Sequence, residues 1–379
     1  MHAVNAVLNY IWRHENYMIH NSSVLFTTEE EQAVLRVLRS GQLSQGPEVE
    51  AFEQEFAKYI GSSYAVAVSN GTTALHLALI AVGVNPGDEV ITTPFSFVAS
   101  TNAILYVGAK PVFVDIGDDF NIDVSNIEKR ITKKTKAILP VHLFGYPCDM
   151  DELLSIAKKH HLVVIEDACQ AHGATYKGEK VGSMGTVGCF SFYATKNITT
   201  GEGGMVVTDD IKIAEHVRRL RTHGSDVRYH PVELGYNDRM TDMQAALGRV
   251  QLKRLDELNN KRRENADYYH EQLKSMPGLV LPPRADEKVS AYHQFTLRIR
   301  QPFPLTRDEL LTHLCKHDIE SMVVYPVPID QIPHVVEIAP AKPLPHAKRS
   351  AHEVLSIPIH PHLTENERST MVHTIRSIR

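Results

Sequence analysis

The stretch CFSFYATKNITTGEGGMVVT, residues 189–208, decides the fold. Phe190 and Phe192 alternate with Ser191 and Tyr193 at the period of a half-buried strand. The pattern breaks at Ala194-Thr195 into a lone lysine, Lys196, and resumes after Gly201, Gly203 and Gly204 in an apolar run over 205–207. A single lysine is thus presented between two strands. Glycines beside it let a backbone or a ligand come close. A lysine held out of water loses its proton more readily, and the neutral amine is the form that makes a Schiff base with an aldehyde. Most lysines are solvated surface charges, so Lys196 carries weight only in company.

Outward from this stretch, short apolar runs at 64–68, 89–93, 111–115, 137–142 and 162–167 alternate with helical spacing at 74–82, 96–107, 125–131 and 150–160, after two amphipathic segments at 29–40 and 48–59. Strands alternating with helices predict an α/β domain whose mostly parallel sheet is covered on both faces. The charged segment 240–273 predicts one or two long helices leading out of it. Beyond Pro277 prolines crowd, especially over 325–345, and a smaller α+β domain with long loops is expected; that proline-rich segment reads equally as a substrate lid or as a plain loop. The expected division is an extension at 1–25, a large domain at 26–255 and a small domain at 256–379.

The chain has 379 residues, 43% of them hydrophobic, enough for a large core. Lys and Arg total 40 against 45 Asp and Glu, a net charge of −5, which argues against a nucleic-acid binder. Cys148, Cys169, Cys189 and Cys315 stand apart with no CxxC pair, as suits a reducing cytoplasm. No apolar run is long enough to span a membrane, and Trp12, Arg13, His14 and Glu15 interrupt any leader segment. Residues 1–17 read as an extension or a misassigned start. There is no HExxH, so no metal is expected; His160-His161 and His360-Pro361-His362 read as surface and turn residues, and the mixed charges of 253–263 as a solvated helix face.

Two further motifs join the lysine. The turn Asn70-Gly71-Thr72-Thr73 opens a helix after a buried strand and gathers free N–H groups at the positive end of a helix dipole, a place that binds phosphate; an ordinary N-cap reads the same way. No dinucleotide fingerprint is present, so the phosphate would belong to something smaller. The run at 162–167 ends in Glu166-Asp167, and a carboxylate at the carboxyl end of such a strand points at the site, unless it merely caps a loop. A phosphate turn, a strand-end aspartate and a strand-presented lysine are together the fixed points that pyridoxal phosphate requires.

These blocks carry a resemblance. SNGTTALHLAL at 69–79, PFSFVAS at 94–100, VIEDACQAHGA at 164–174, FSFYATKN at 190–197 and GYNDRMTDMQAALG at 235–248 resemble the DegT/DnrJ/EryC1/StrS family of PLP-dependent nucleotide-sugar aminotransferases, from Gly46 to Pro358. The resemblance implies the aspartate aminotransferase fold (fold type I). It implies Lys196 as the Schiff-base lysine, Asp167 as partner of the pyridine nitrogen, and Gln170 near the ring hydroxyl. It gives Gly71, Thr72 and Ser191 to the phosphate and Phe97, or Phe95, to the ring face. Asn237 would reach the phosphate from a neighbouring subunit, which implies a homodimer with shared active sites. The substrate surface is expected from Phe95, His223, Arg239 and Tyr325.

The expected reaction is transamination of a nucleotide-linked keto sugar with L-glutamate as donor, for amino-sugar biosynthesis. Lys196 argues against the branch in which histidine replaces it and sugars are dehydrated. The reading ATKNITTGEGG, with Thr222-His223-Gly224, resembles perosamine-type enzymes that aminate C4 rather than C3. The alternatives are a PLP-dependent sugar dehydratase and a non-catalytic sensor of the same fold.

Overall fold

The runs flanking Lys196 become strands because helices cover both faces of the sheet they join, and such strands need no polar alternation. In the computed structural model, residues 18–339 and 343–378 are described. The main sheet has seven strands: β1 Tyr64–Val68, β2 Glu89–Thr92, β3 Lys110–Phe113, β4 Thr135–Leu139, β5 Val163–Asp167, β6 Val187–Ser191 and β7 Gly204–Thr208. Their order is β1-β7-β6-β5-β4-β2-β3. Only β7 runs against its neighbours; β6, β5, β4, β2 and β3 pair in parallel. Expected half-burial of β6 gives way to full burial: Phe190 and Phe192 are inaccessible and Ser191 nearly so. The reason is the aromatic layer beneath, where Phe56 meets Phe190 and Phe192 edge-on at 5.0 and 5.4 Å.

Around the sheet lie α1 Thr28–Ser40, α2 Pro47–Ile60, α3 Gly71–Ala81, α4 Ala99–Tyr106, α5 Met150–His160 and α6 Ile211–Leu220. Val66 and Val68 of β1 join the core under α3 and α6, while Ala65 and Ala67 join the opposite core under α2, the period-two signature of a strand. The segment expected as a helix at 125–131 is instead two 3₁₀ turns, Val124–Asn126 and Glu128–Arg130. Asp123 takes both the amide and the hydroxyl of Ser125, a local bond that competes with helix propagation.

The segment read as one or two helices is one, α7 Asp242–Leu273, opened by a capping box between Thr241 and Gln244. It runs unbroken across the 255/256 division. The small C-terminal sheet pairs Leu279–Val280, Phe295–Ile299 and Val354–Ile357. Two segments depart from the expected division. Ile19 is buried, donates its N–H to the Asp318 carbonyl at 2.8 Å and accepts from Glu320 N at 2.9 Å, so residues 18–20 belong to the small domain's packing. Val324, Ile329 and Val335 are buried in the large domain's core, and Ile329 N donates to Pro94 O at 2.8 Å; the segment after Tyr325 is folded back over the large sheet. Trp12, Arg13, His14 and Glu15 lie outside the described residues. No described helix is long and apolar enough to cross a membrane.

Candidate active site

The parallel strands β1, β5 and β6 end on one side of the sheet, and the functional side chains gather there. After β1, Asn70 caps α3: its Oδ1 accepts from Thr73 N at 2.9 Å. That leaves the amides of Gly71 and Thr72 without intrahelical acceptors, pointing out of the helix's positive end. Gly71 has no room for a side chain. A Cβ there would lie 2.6 Å from Ser191 Cβ and 3.1 Å from Cys169 Sγ. The same turn presses on β7, where a Cβ on Gly204 would lie 2.2 Å from the Asn70 carbonyl; here the glycine admits a backbone, not a ligand.

Ser191, the last residue of β6, accepts from Tyr193 N at 3.3 Å, so its hydroxyl hydrogen remains free to donate. Asp167, the last residue of β5, is 4% exposed. Its Oδ2 accepts from the Ser100 hydroxyl at 2.7 Å and its Oδ1 from Cys169 N at 3.2 Å, which fixes the carboxylate while leaving each oxygen a further lone pair. Gln170 is held at both ends: Oε1 accepts from Phe144 N at 2.9 Å, and Nε2 donates to the Tyr325 hydroxyl at 2.8 Å. One amide hydrogen of Gln170 is left over.

Lys196 lies in the connection between β6 and the returning β7, where its N–H donates to Tyr193 O at 2.9 Å. Burial holds the pKa of its amine below the ordinary lysine value, against the opposing pull of Cys169 and Asp167. Two histidines stand near, His172 buried and His293 half-buried. His172 packs against Phe190 and Phe192, has no partner for either ring nitrogen, and is kept neutral by burial, its pKa brought down to about 3. His293 is likewise pushed well down by burial.

A lowered lysine amine, a fixed carboxylate, free amides at a helix start and a free hydroxyl answer the needs of pyridoxal phosphate, and the residues present fit that group. Ser100, Cys169, His172 and His293 are additions to the expected set. The first three lay within the quoted sequence blocks, yet nothing in their spacing says which of them touch Asp167 or face Lys196.

Not every expected residue joins the cluster. Phe95 is fully buried, stacked on Phe120 at 6.1 Å and edge-on to Tyr325 at 5.7 Å, so it offers neither ring-face nor substrate surface; Phe97 is 59% exposed. Asn237 is exposed and accepts from Arg239 Nη2 at 2.5 Å, while its backbone bridges to Thr222. His223 donates its N–H to Tyr236 O at 2.7 Å. Within one chain Asn237, Arg239 and His223 make no hydrogen bond to Lys196, Asp167 or Ser191 among the described residues. Tyr325 reaches the site through Gln170. Of the residues read as surface, His360 is buried and its pKa brought down to about 4 by burial, and Arg262, within the run expected to be solvated, is buried as well. Among the described residues no group of three or more His, Cys, Asp or Glu could hold a metal ion.

Residues 25–376 match the DegT/DnrJ/EryC1/StrS aminotransferase family. The chain belongs to that family. It is an aminotransferase with the fold of its relatives. It is 42% identical to dTDP-3-amino-3,4,6-trideoxy-alpha-D-glucose transaminase of Streptomyces venezuelae, over 92% of this chain and 91% of the relative. It is 41% identical to GDP-perosamine synthase of Caulobacter vibrioides, over 86% and 89%. A "Pleiotropic regulatory protein" of Geobacillus stearothermophilus is 42% identical, over 89% and 91%. Among solved structures, S. venezuelae DesV in complex with a ketimine intermediate superimposes with a TM-score of 0.89 at 42% identity, covering 92% of this chain and 94% of the other. The Spr1654 protein of Streptococcus pneumoniae, in its PLP form, gives a TM-score of 0.89 at 29% identity, over 96% and 98%.

Proposed function

We propose that this aminotransferase, acting in the cytoplasm with pyridoxal phosphate, moves the amino group of L-glutamate to a nucleotide-linked 4-keto-6-deoxyhexose. The observation that carries the reading is the Lys196 amine, kept below its ordinary pKa by burial, beside an Asp167 carboxylate fixed at the end of β5. Lys196 would attach the cofactor through its amine. Asp167 would face the ring nitrogen, Gln170 the ring hydroxyl through its spare amide hydrogen, and Phe97 the ring face. Gly71, Thr72 and Ser191 would hold the phosphate. Bound there, the cofactor supplies an electron sink for the carbon that exchanges its amine and ketone.

The chain's own groups do the rest. Neutral Lys196 Nζ would take the proton from the donor's α-carbon and pass it on within the same half-reaction, then move a proton the opposite way, onto the sugar carbon, in the second; a lowered pKa keeps that amine free to accept it. Ser100 would hold the Asp167 carboxylate in place opposite the ring nitrogen. Relatives of nearly equal identity aminate different sugars, so the choice of C4 rests on the ATKNITTGEGG reading. A second copy of the chain would cover the hairpin after α6, where Val227, Tyr229 and Leu234 are 64%, 85% and 82% exposed, and would receive Asn237 at its phosphate site.

The test is an absorbance spectrum of the purified protein with added PLP, followed by glutamate. A visible band that collapses on adding glutamate is the expected result. No band at all would defeat the enzyme reading in favour of a regulatory protein of this fold. A band indifferent to glutamate would point to another donor or to a dehydratase.

A further inference from the structure

The outer edge of β1 is closed at Ala67 by an ion pair rather than by another strand. In the main sheet β1 pairs only with β7, so its outward backbone groups need partners from elsewhere. Glu53 Oε1 accepts from Ala67 N at 2.8 Å, and Arg221 Nη1 donates both to that carboxylate and to the Ala67 carbonyl. Both residues are buried, Glu53 at 8% exposure and Arg221 at 4%. Taking two charges out of water is costly, and apolar residues of like volume often stabilise a core as well. Its place along β1 distinguishes this pair.

Two residues beyond Ala67 the strand gives way to the phosphate turn. There the edge is continued by the segment that follows the hairpin: Val68 bridges to Arg239, and Ser69 N donates to the Asp238 carbonyl at 2.8 Å. Asp238 N in turn donates to the Arg221 carbonyl at 3.0 Å. Arg221 is thus joined to β1 twice, through its guanidinium at Ala67 and through Asp238 at Ser69. The circuit closes one residue before Asn70, the cap of α3. On the other side the Asn70 carbonyl lies against Gly204 of β7, where a Cβ would come within 2.2 Å. The turn is held from both sides of β1.

We propose that Arg221 is a positioning residue for the phosphate turn: by fixing β1 at Ala67 and the neighbouring segment at Asp238, it aims the Gly71 and Thr72 amides at the cofactor's phosphate. The inference rests on the pyridoxal phosphate reading of the site and deepens it, because it gives the phosphate end a support of its own, apart from Lys196 and Asp167. Glu53 already answers the charge of Arg221, so the guanidinium serves the turn's geometry and is no phosphate ligand itself.

The experiment titrates the cofactor-free, full-length protein with PLP and with pyridoxal, which carries the aldehyde but no phosphate, and reads the visible band. Glu53→Gln combined with Arg221→Met removes both charges together, so neither is stranded in the core, and takes the donor from the Ala67 carbonyl. This double variant should bind PLP about 10- to 100-fold more weakly, the worth of one charged hydrogen bond, while pyridoxal affinity stays within about twofold. Arg221→Lys, with the charge kept on a stem one atom shorter, should recover part of the loss. A thermal melt precedes each titration; if the double variant fails to fold, Arg221→Lys against the wild type carries the same comparison. Equal losses for PLP and pyridoxal would make Arg221 a plain structural residue, and unchanged PLP affinity in a folded variant would detach it from the turn; either result overturns the proposal. The wild-type band is read first, so its absence with both aldehydes condemns the cofactor reading separately from Arg221.

Discussion

The strand-end wall formed by Asp167, Ser191 and Gly71 and the hairpin formed by Ser225–Val227 and His230–Pro231 face opposite physical problems. The wall is buried, and each of its groups is fixed by neighbours within the chain: Ser100 on Asp167, Tyr193 N on Ser191, Ser191 and Cys169 against Gly71. The hairpin is exposed at Val227 and Tyr229, as is Leu234 just after it, and the adjoining Asn237 has a bond to Arg239 but none to the wall. The first region is held by contacts within a single copy, while the second presents exposed apolar side chains that the proposed second copy would cover.

Breaking the wall should have the largest effect. Asp167→Ala removes one partner from a buried charged arrangement, a loss of about 3–5 kcal/mol or roughly two to four powers of ten in turnover, with the Ser100 hydroxyl left to its bond with Ser96 Oγ at 3.1 Å. Steady-state kinetics together with a thermal melt would check this; full activity in a folded variant would sink the role given to Asp167. Gly71→Ala comes next. Its new methyl collides with Ser191 Cβ, and overpacking of that kind costs about 1–3 kcal/mol. The expected outcome is weaker PLP binding by equilibrium dialysis, because the turn must shift away from Ser191.

The hairpin gives the contrary test. Leu234→Asp places a charge on an exposed apolar position and should leave the single-chain fold intact while shifting the sedimentation profile toward monomer. A variant that stays dimeric would move the interface elsewhere on the surface. If the monomer also loses PLP affinity, the wall is completed by the second copy; if it keeps it, the two regions are independent.

Why the wall was legible and its supports were not follows from distance along the chain. Asp167 and Ser191 end apolar runs and Gly71 follows one, so strand-end position marks them in local sequence. Ser100 lies 67 residues from Asp167, and its contact exists only because α4 is laid across the ends of the sheet. Arg262 stood in a run of mixed charges whose bulk is solvated; a helix face turns one residue of such a run inward without altering its composition. Phe95 and Phe97 are two apart with the same chemistry, and only packing against Phe120 and Tyr325 shows which one is core.

The smallest expected effect concerns Tyr325, which ties the folded-back segment to the wall. Its ring lies parallel to that of Phe144 at 6.1 Å, and its hydroxyl accepts from Gln170 Nε2, while Phe144 N donates to the other end of the same amide. Tyr325 and Phe144 both hold positive φ angles, 59° and 57°, so the pair is set by surrounding packing rather than by local preference. Tyr325→Phe keeps that packing and deletes one neutral hydrogen bond, a loss of about 0.5–1.5 kcal/mol. Gln170 keeps its bond from Phe144 N, so the amide should loosen rather than leave. The readout is the visible band of the PLP-loaded protein, which should shift in wavelength or in its pH dependence while turnover falls by about tenfold or less. A spectrum identical to wild type with lowered sugar affinity would instead make Tyr325 a substrate contact and free Gln170 from any dependence on the segment beyond it.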